Sequence, residues 1–212
     1  MLPRIYLIRH GETEWSLSGR HTGHTDIPLT AQGEASAREL GPRLAPLTFA
    51  RVLTSPRRRA RQTCELAGMG SAAETEPDLA EWDYGEFEGR RSVDILTAQP
   101  TWNIFHDGCP GGETTTQISA RADRLVARLR TMNGNIALFS HGHFGRVLGA
   151  RWIGLPISAG QHLLLSTASI SVLGYEHDRS ATPAIVCWNS TPAEFLTRPD
   201  RLAATASGHA RP

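Results

Sequence analysis

Near its start the chain carries a run of four apolar residues, IYLI over residues 5–8, that stops at Arg9, His10 and Gly11. Four consecutive apolar residues suit a central strand covered on both faces, as in a parallel sheet flanked by helices. In open α/β sheets, ligands bind beyond the carboxyl ends of such strands. The sequence therefore predicts an α/β fold with Arg9 and His10 at a ligand-binding edge.

Strand-like and helix-like patterns alternate along most of the chain, which predicts a single-domain, three-layer α/β/α sandwich around a mostly parallel sheet. This domain is predicted over residues 1–196, with 77–113 as an inserted segment that covers the site and 197–212 as a flexible tail. Further strands are predicted at 51–54, within 135–143 and at 184–188, and a hairpin from 163–165 and 170–173. Helices are predicted at 31–44 after the N-cap Thr30, at 56–68, at 114–132 and through 147–152.

Composition excludes several classes of protein. The 22 basic and 21 acidic residues give a net charge of +1, so no bulk field attracts nucleic acid or an anionic membrane. Three widely spaced cysteines, Cys64, Cys109 and Cys187, predict neither a disulfide framework nor a zinc knuckle. Without a signal-peptide pattern or a membrane-span pattern, the chain is predicted to be cytoplasmic, and no oligomeric state is predicted.

Three predicted strands end in cations or imidazoles. The first ends at Arg9 and His10, the second at the arginines of residues 57–59, and the third at His141. Parallel strands gather such residues at one edge, where a local cluster in a neutral protein suits a compact dianion such as phosphate. Cationic neighbours lower the pKa of an imidazole and leave it free to act as a nucleophile. The pattern predicts that Arg9 orients a phosphate that His10 attacks.

A metal site is the weaker interpretation of the same histidines. His141 and His143 have the spacing of a metal pair, and His21 and His24 add candidates. No carboxylate or cysteine is placed to complete a ligand set, so neither a metal ion nor another cofactor is predicted. His143 is expected to have a core or supporting role.

Four segments also resemble the motifs of one known family. They are LIRHGETEW, TSPRRRARQT, LAEWDYGEFEG and SHGH, in the family's order between Leu7 and His143. They are similar to the R-H-G, S-P-x-x-R-A-x-Q-T, L-x-E-x-x-x-G-x-x-E-G and second-histidine motifs of the histidine phosphatase superfamily, which includes cofactor-dependent phosphoglycerate mutases. The resemblance implies a phosphoglycerate mutase-like fold and a small phosphorylated substrate.

The resemblance also implies roles for individual residues. His10 is the phosphorylated nucleophile, and Arg9, Arg59 and His141 hold the phosphoryl group together with Gly142. The motif register selects Arg59, so that its neighbours at 57 and 58 face solvent. No metal takes part.

Glu81 matches the general acid of the family, which protonates the leaving oxygen and then activates water. The flanking Leu79 and Trp82 predict apolar surroundings that favour a neutral carboxyl. Register leaves Glu88 as a structural residue. Ser16 stands where many members of the family carry an asparagine that donates to phosphate, and it is a candidate donor over a shorter reach.

The motifs look closer to a branch with bacterial acid phosphatases and the fungal sedoheptulose bisphosphatase than to the glycolytic mutases, and that branch hydrolyses phosphomonoesters. The segment 101–114 is then expected to lie over the pocket, with Trp102, His106 and Glu113 as candidates for selecting the substrate. A simpler alternative for Glu113 is to start the following helix, where an acid is favoured by the helix dipole.

Two other functions remain open. A phosphoglycerate mutase carries an arginine and a histidine after the acid to bind the other acidic end of its substrate. This chain has Trp82 and Asp83 there, and Asp83 would repel a second anion, although Arg20 or Arg90 could compensate. A non-catalytic module that only binds phospho-ligands is disfavoured because the catalytic set is complete.

Overall fold

A six-stranded sheet runs through the centre of the protein. The computed structural model describes residues 2–191, and its strands are β1 (Arg4–Arg9), β2 (Phe49–Thr54), β3 (Ala73–Thr75), β4 (Asn135–Ser140), β5 (Ile170–Tyr175) and β6 (Pro183–Ser190). They lie in the order β3-β2-β4-β1-β5-β6. The first four pair in parallel, and β5 is antiparallel to both β1 and β6. The predicted mostly parallel sheet is confirmed.

Seven α-helices connect and flank these strands in the described part of the chain. They are α1 (Glu14–Ser18), α2 (Ala31–Leu44), α3 (Arg58–Leu66), α4 (Ser92–Ala98), α5 (Ile104–Asp107), α6 (Thr115–Arg130) and α7 (Gly142–Trp152). The four longest correspond to the four predicted helices. Short 3₁₀ turns lie at Gly70–Ala72, Pro77–Leu79, Gly85–Phe87, Ile157–His162 and Glu176–Asp178.

The apolar run of β1 supplies both faces of the sheet, because successive side chains of a strand point in opposite directions. Leu7 belongs to a core cluster with Leu125 of α6 and Leu148 of α7. Its neighbour Ile8 belongs to a second cluster that includes Leu40 of α2. Helices therefore cover both faces, and the predicted three-layer α/β/α sandwich is confirmed.

Side-chain caps start the two longest helices. The hydroxyl of Thr30 accepts the N–H of Gly33 at the start of α2, as predicted. Thr114 and Gln117 form a reciprocal capping box at the start of α6. Both caps satisfy N–H groups that the first turn of a helix leaves unpaired.

The predicted hairpin that begins at residues 163–165 is wrong. The strand β5 pairs instead with β6, and residues 163–165 are irregular. Side chains take the carbonyls that a ladder would use: Trp188 Nε1 donates to Leu164, and the Arg9 guanidinium donates to Leu165. An apolar triplet does not reveal such long-range partners.

Two glycines set the turn that follows β1. A Cβ on Gly11 would lie 2.4 Å from the carbonyl oxygen of Gly33, and a Cβ on Gly33 would lie 2.1 Å from the carbonyl oxygen of Glu12. Neither distance is compatible with a side chain. The start of α2 therefore packs directly against the backbone that carries His10.

Two predictions lie partly or wholly beyond the described residues: the end of the predicted domain at residue 196 and the predicted tail at 197–212. Within residues 2–191, no helix has both the length and the apolar character that a bilayer crossing requires.

Candidate active site

Three neighbouring strands bring their carboxyl ends together at one edge of the sheet. β4 lies between β1 and β2. His141 follows β4, His10 follows β1, and Ser55 follows β2. The N–H of His10 donates to the carbonyl of Ser140 over 3.0 Å, and the His10 and His141 rings lie 5.2 Å apart between centroids. The predicted gathering of polar strand ends is present in the structure.

A cavity of about 190 Å³ opens at this edge. Five of the predicted site residues line it: Arg9, His10, Ser16, Glu81 and Gly142. Arg59 and His141 do not line it, and both are fully buried. Residues without a role in the predicted chemistry also line the cavity, among them Arg20, His21, Tyr84, His143 and Arg146.

The His10 ring is oriented and neutral. Its Nδ1 lies 2.7 Å from the carbonyl oxygen of Gly11, so Nδ1 carries the proton and Nε2 keeps its lone pair. Burial lowers the pKa of His10 well below its ordinary value, and the charges of Arg59 and Arg9 lower it further. An unprotonated Nε2 in a cavity is a nucleophile at neutral and mildly acidic pH.

Arg9 is held between the cavity and the loop before β5. Its guanidinium donates to the carbonyl of Leu165. A Cβ on Gly142 would lie 3.3 Å from Arg9 Cζ, so the glycine allows this close packing. Burial lowers the pKa of Arg9, while the carboxylate of Glu81 opposes that effect.

His141 contacts the second strand end. Its Nε2 lies 2.7 Å from the hydroxyl oxygen of Ser55. Burial lowers its pKa well below the ordinary value, and Arg59 is the largest charge acting in the same direction. When the Ser55 hydroxyl donates to Nε2, the proton of the neutral ring lies on Nδ1, which is buried and has no partner among the described residues. The Nδ1–H group of His141 is then a hydrogen-bond donor.

Arg59 is the buried arginine of its run, whereas Arg58 is exposed and Arg57 is half-buried. The Arg59 guanidinium donates to the carbonyl oxygens of Thr22, over 2.8 Å, and of Gly23 and Thr25, each over 3.2 Å. Its contact with the phosphoryl group stays a prediction. In the structure it ties the loop that borders the cavity to α3.

We expect Arg59→Ala to lower kcat/KM about 30- to 1000-fold, because it removes a fixed charge close to His10 and releases the loop. Arg58→Ala is the matched control, since Arg58 is exposed at the start of the same helix. Steady-state kinetics on one phosphomonoester compares the two variants. A larger loss for Arg58→Ala would show that the motif register is wrong.

Glu81 is buried, but its surroundings are less apolar than predicted. Its Oε1 accepts the N–H groups of Trp82, over 2.9 Å, and Phe144, over 2.8 Å, and its Oε2 accepts that of His143 over 3.0 Å. Two of these donors belong to the first turn of α7, so the carboxyl caps that helix from outside. Three backbone donors therefore fix the position of the Glu81 carboxyl at the cavity.

Glu88 and Asp83 hold the neighbouring loop. Both carboxylate oxygens of Glu88 accept the N–H of Gly23, and Oε1 also accepts that of Thr25, in agreement with its predicted structural role. The Asp83 carboxylate lies 3.1 Å from Nε2 of His24, and Asp83 does not line the cavity. The predicted repulsion of a second anion by Asp83 stays a prediction.

Ser16 lines the cavity, but its hydroxyl is engaged locally. It accepts the N–H of Thr13 over 2.8 Å and donates to the carbonyl of Thr13 over 2.9 Å, which completes a capping box at the start of α1. A bond to phosphate would replace the second of these contacts. Its role as a phosphate donor stays a prediction.

Three residues of the segment 101–114 were candidates for selecting the substrate, and none of them lines the cavity. Trp102 packs against His21, with ring centroids 5.7 Å apart. His106 is exposed, and Glu113 forms an ion pair with Arg121 over 2.7 Å. Of the three, Trp102 packs against a residue that lines the cavity.

A neutral aromatic group forms a wall of the cavity. The hydroxyl of Tyr84 lies 2.7 Å from Nδ1 of His143, and the Tyr84 and His21 rings lie 4.7 Å apart between centroids. Burial raises the pKa of Tyr84, lowers that of His143 well below its ordinary value, and lowers that of His21 from 6.5 to about 4. The wall therefore offers ring faces and neutral hydrogen-bonding groups.

The buried neutral state of His21 has a consequence for stability. Between pH 6.5 and 4 the unfolded chain binds a proton at His21 that the folded chain does not, so the free energy of unfolding falls as the pH falls, by up to about 3 kcal/mol. We expect His21→Phe, which keeps a ring beside Tyr84, to weaken this pH dependence. Urea unfolding at pH 7 and pH 4.5 tests it, and an unchanged difference between the two pH values would contradict it.

No group of three histidine, cysteine or acidic side chains within residues 2–191 is placed to hold a metal ion. Cys64 and Cys109 are buried and unpaired by disulfides, and burial raises the pKa of each thiol to about 12. Their thiols are therefore poor nucleophiles.

Comparison with known proteins agrees with the site. Residues 5–191 match the family model of the histidine phosphatase superfamily, branch 1. An acid phosphatase of Mycobacterium tuberculosis is 44% identical over 178 residues, which cover 82% of this chain and 87% of the relative. The sedoheptulose 1,7-bisphosphatase of Saccharomyces cerevisiae is 36% identical over 189 residues, covering 74% of this chain and 70% of the relative.

A further relative carries a different name, a probable phosphoglycerate mutase of Salmonella choleraesuis, which is 34% identical over 187 residues, covering 83% of this chain and 86% of the relative. The solved structure of an open reading frame from Mycobacterium tuberculosis superimposes with a TM-score of 0.83 at 38% identity, covering 89% of this chain and 98% of the other. The resemblance proposed from the motifs is confirmed. The chain belongs to branch 1 of the histidine phosphatase superfamily and is an enzyme of the phosphatase type.

Proposed function

We propose that the enzyme hydrolyses phosphomonoesters of small metabolites without a metal ion, through a phosphohistidine at His10. The observation that carries this proposal is the state of His10. Its Nδ1 is hydrogen-bonded to the carbonyl oxygen of Gly11, its ring is neutral, and it lines the same cavity as Glu81. A nucleophile and an acid that face one cavity supply both halves of an ester hydrolysis.

In the first half-reaction, His10 Nε2 attacks phosphorus and a P–N bond forms while the ester P–O bond breaks. The leaving oxygen takes the bonding electrons and a proton from Glu81. Arg9 and Arg59 oppose the negative charge of the phosphoryl oxygens, and a fixed positive charge in a buried site needs little reorganisation during this step. The products are an alcohol and phosphohistidine.

In the second half-reaction, the Glu81 carboxylate takes a proton from water, whose oxygen attacks phosphorus. The P–N bond breaks, its electrons return to Nε2, and inorganic phosphate leaves. Glu81 ends protonated and His10 neutral, as both began. One carboxyl thus serves as acid and then as base.

Unused hydrogen-bonding capacity around His10 supports a phosphoryl ligand. Arg9 Nε, Arg59 Nε and His141 Nδ1 are buried and have no partner among residues 2–191. Buried polar nitrogens without partners cost free energy. Phosphoryl oxygens are acceptors that suit such donors, because guanidinium groups and a protonated Nδ1 carry N–H groups. Arg9 lines the cavity itself, and Arg59 and His141 would have to be reached from it.

A mutase is the second candidate, and one observation favours it. Asp83, which was expected to repel a second anion, is paired with His24 outside the cavity, whereas Arg20 and Arg146 line it. A mutase returns the phosphoryl group to another oxygen of the substrate and keeps phosphohistidine away from water. The two reactions differ in whether free phosphate is released.

The deciding experiment is steady-state turnover in the presence of EDTA. The substrates are 3-phosphoglycerate, sedoheptulose 1,7-bisphosphate, fructose 1,6-bisphosphate and p-nitrophenyl phosphate, with free phosphate and 2-phosphoglycerate both measured. We expect phosphate release without isomerisation. If 2-phosphoglycerate forms faster than phosphate, the enzyme is a mutase; if EDTA abolishes turnover, the reaction is not metal-independent.

A further inference from the structure

Arg146 is a cation that the proposed reaction does not use. It lies on α7, one turn after Gly142, and lines the cavity with His10 and Glu81. Its Nε donates to the carbonyl of Gly160 over 2.8 Å, and its NH2 donates to that of Gln161 over 2.9 Å. The guanidinium also lies over the Phe105 ring, with Cζ 4.6 Å from the centroid.

These contacts fix the guanidinium and leave one nitrogen available. NH1 has no hydrogen-bond partner among residues 2–191, and it is not one of the buried nitrogens without partners. NH1 is therefore accessible on a side chain that lines the cavity. A guanidinium already held in place loses little conformational freedom when it binds an anion.

The charges around the cavity exceed the needs of one phosphoryl group. Arg9, Arg20 and Arg146 line it, and Glu81 is the one carboxylate among the described lining residues. The two negative charges of a phosphoryl group are balanced by the positive charges of Arg9 and the buried Arg59. The Glu81 carboxyl accepts its hydrogen bonds from backbone N–H groups and not from the Arg146 guanidinium. The charge of Arg146 thus remains for another anion.

We propose that Arg146 binds a second anionic group, a carboxylate or a phosphate, on the leaving group of the substrate. The proposal rests on the proposed phosphatase function and narrows its substrates to phosphomonoesters with a second anion. Arg146 is then the residue that determines specificity. The neutral wall of Tyr84 and His143 lies along the same cavity and receives the uncharged part of the leaving group.

The test compares two esters that differ at one group. Glycerol 3-phosphate and 3-phosphoglycerate share a three-carbon skeleton and a primary phosphoester, but a hydroxymethyl group in the first is a carboxylate in the second. We expect wild-type kcat/KM, measured as ester consumed, to be about 10- to 100-fold higher for 3-phosphoglycerate, the range of one charged hydrogen bond. Arg146→Gln should abolish this preference, chiefly through KM.

Controls separate binding of the second anion from other roles. Arg151→Gln removes a cation of the same helix that pairs with Asp123 over 2.7 Å and does not line the cavity, and it should keep the preference. Arg146→Lys keeps the positive charge and should keep part of the preference for 3-phosphoglycerate. Turnover of p-nitrophenyl phosphate by Arg146→Gln reports whether the site remains intact.

Each contrary outcome has its own meaning. A wild-type enzyme without preference between the two esters overturns the proposal, whatever the variants do. Equal losses on both esters and on p-nitrophenyl phosphate in Arg146→Gln also overturn it, since Arg146 would then act on the transferred group or on the fold. Absence of wild-type turnover on every ester would instead refute the proposed phosphatase function.

Discussion

Replacing His10 by alanine is expected to lower kcat by at least about 10⁴-fold, because removal of the nucleophile removes the covalent path altogether. The surrounding charges of Arg9 and Arg59 remain and, on the proposed function, are expected to bind phosphate. The variant should therefore retain affinity for phosphate while it fails to form a phosphoenzyme. Rapid quenching with radiolabelled substrate, followed by detection of acid-labile protein-bound phosphate, measures the intermediate directly.

His24→Ala provides the matched control. His24 is an imidazole of the neighbouring loop that pairs with Asp83, and it does not line the cavity. Its loss should leave kcat within about threefold of the wild-type value, as for most exposed side chains. Acid-labile phosphate on the His10→Ala protein would place the nucleophile elsewhere.

The second large effect is expected from Glu81→Gln, and it depends on the leaving group. An amide cannot donate a proton to the leaving oxygen, so hydrolysis of an alkyl phosphate should slow by about 10²- to 10⁴-fold. A nitrophenolate leaves without full protonation and should be affected much less. The quantity to measure is the ratio of kcat/KM values for glycerol 3-phosphate and p-nitrophenyl phosphate in variant and wild type.

The substitution also disturbs the structure, because the amide nitrogen of glutamine cannot accept hydrogen bonds from the backbone N–H groups that donate to Glu81. Glu88→Gln is a control for that disturbance, since Glu88 likewise accepts backbone N–H groups and does not line the cavity. It should lower stability without changing the ratio between the two substrates. Equal losses on both substrates in Glu81→Gln would refute the general-acid role.

Most of the fold was predictable because apolar patterns are local. Residues 5–8 and 135–140 read as buried strands, and both are central in the sheet. The edge strand β3 was missed, since its three residues, Ala-Glu-Thr, are partly or fully exposed and carry no apolar pattern. The hairpin error arose because β5 takes its partner from residues 183–190 instead of from the nearer leucines.

The candidate site divides in the same way. Strand ends placed Arg9 and His10 together from local apolar patterns, and the family resemblance added Glu81; all three line one cavity. Arg146 was missed, since its direction is set by carbonyls of Gly160 and Gln161 on a separate segment. The same holds for Asp83: proximity to Glu81 in sequence does not reveal that its carboxylate lies beside His24 and outside the cavity lining.

The cavity is built from two kinds of wall, and they differ in how they tolerate change during evolution. One continuous stretch, residues 141–146, supplies His141, two N–H donors to Glu81, and Arg146. An insertion or deletion there displaces all of them together. A second group of lining residues comes from residues 16–22 and Ser92, which have no part in the proposed chemical steps. New substrate preferences can therefore arise by exchanging residues of this second group while the chemistry is inherited intact.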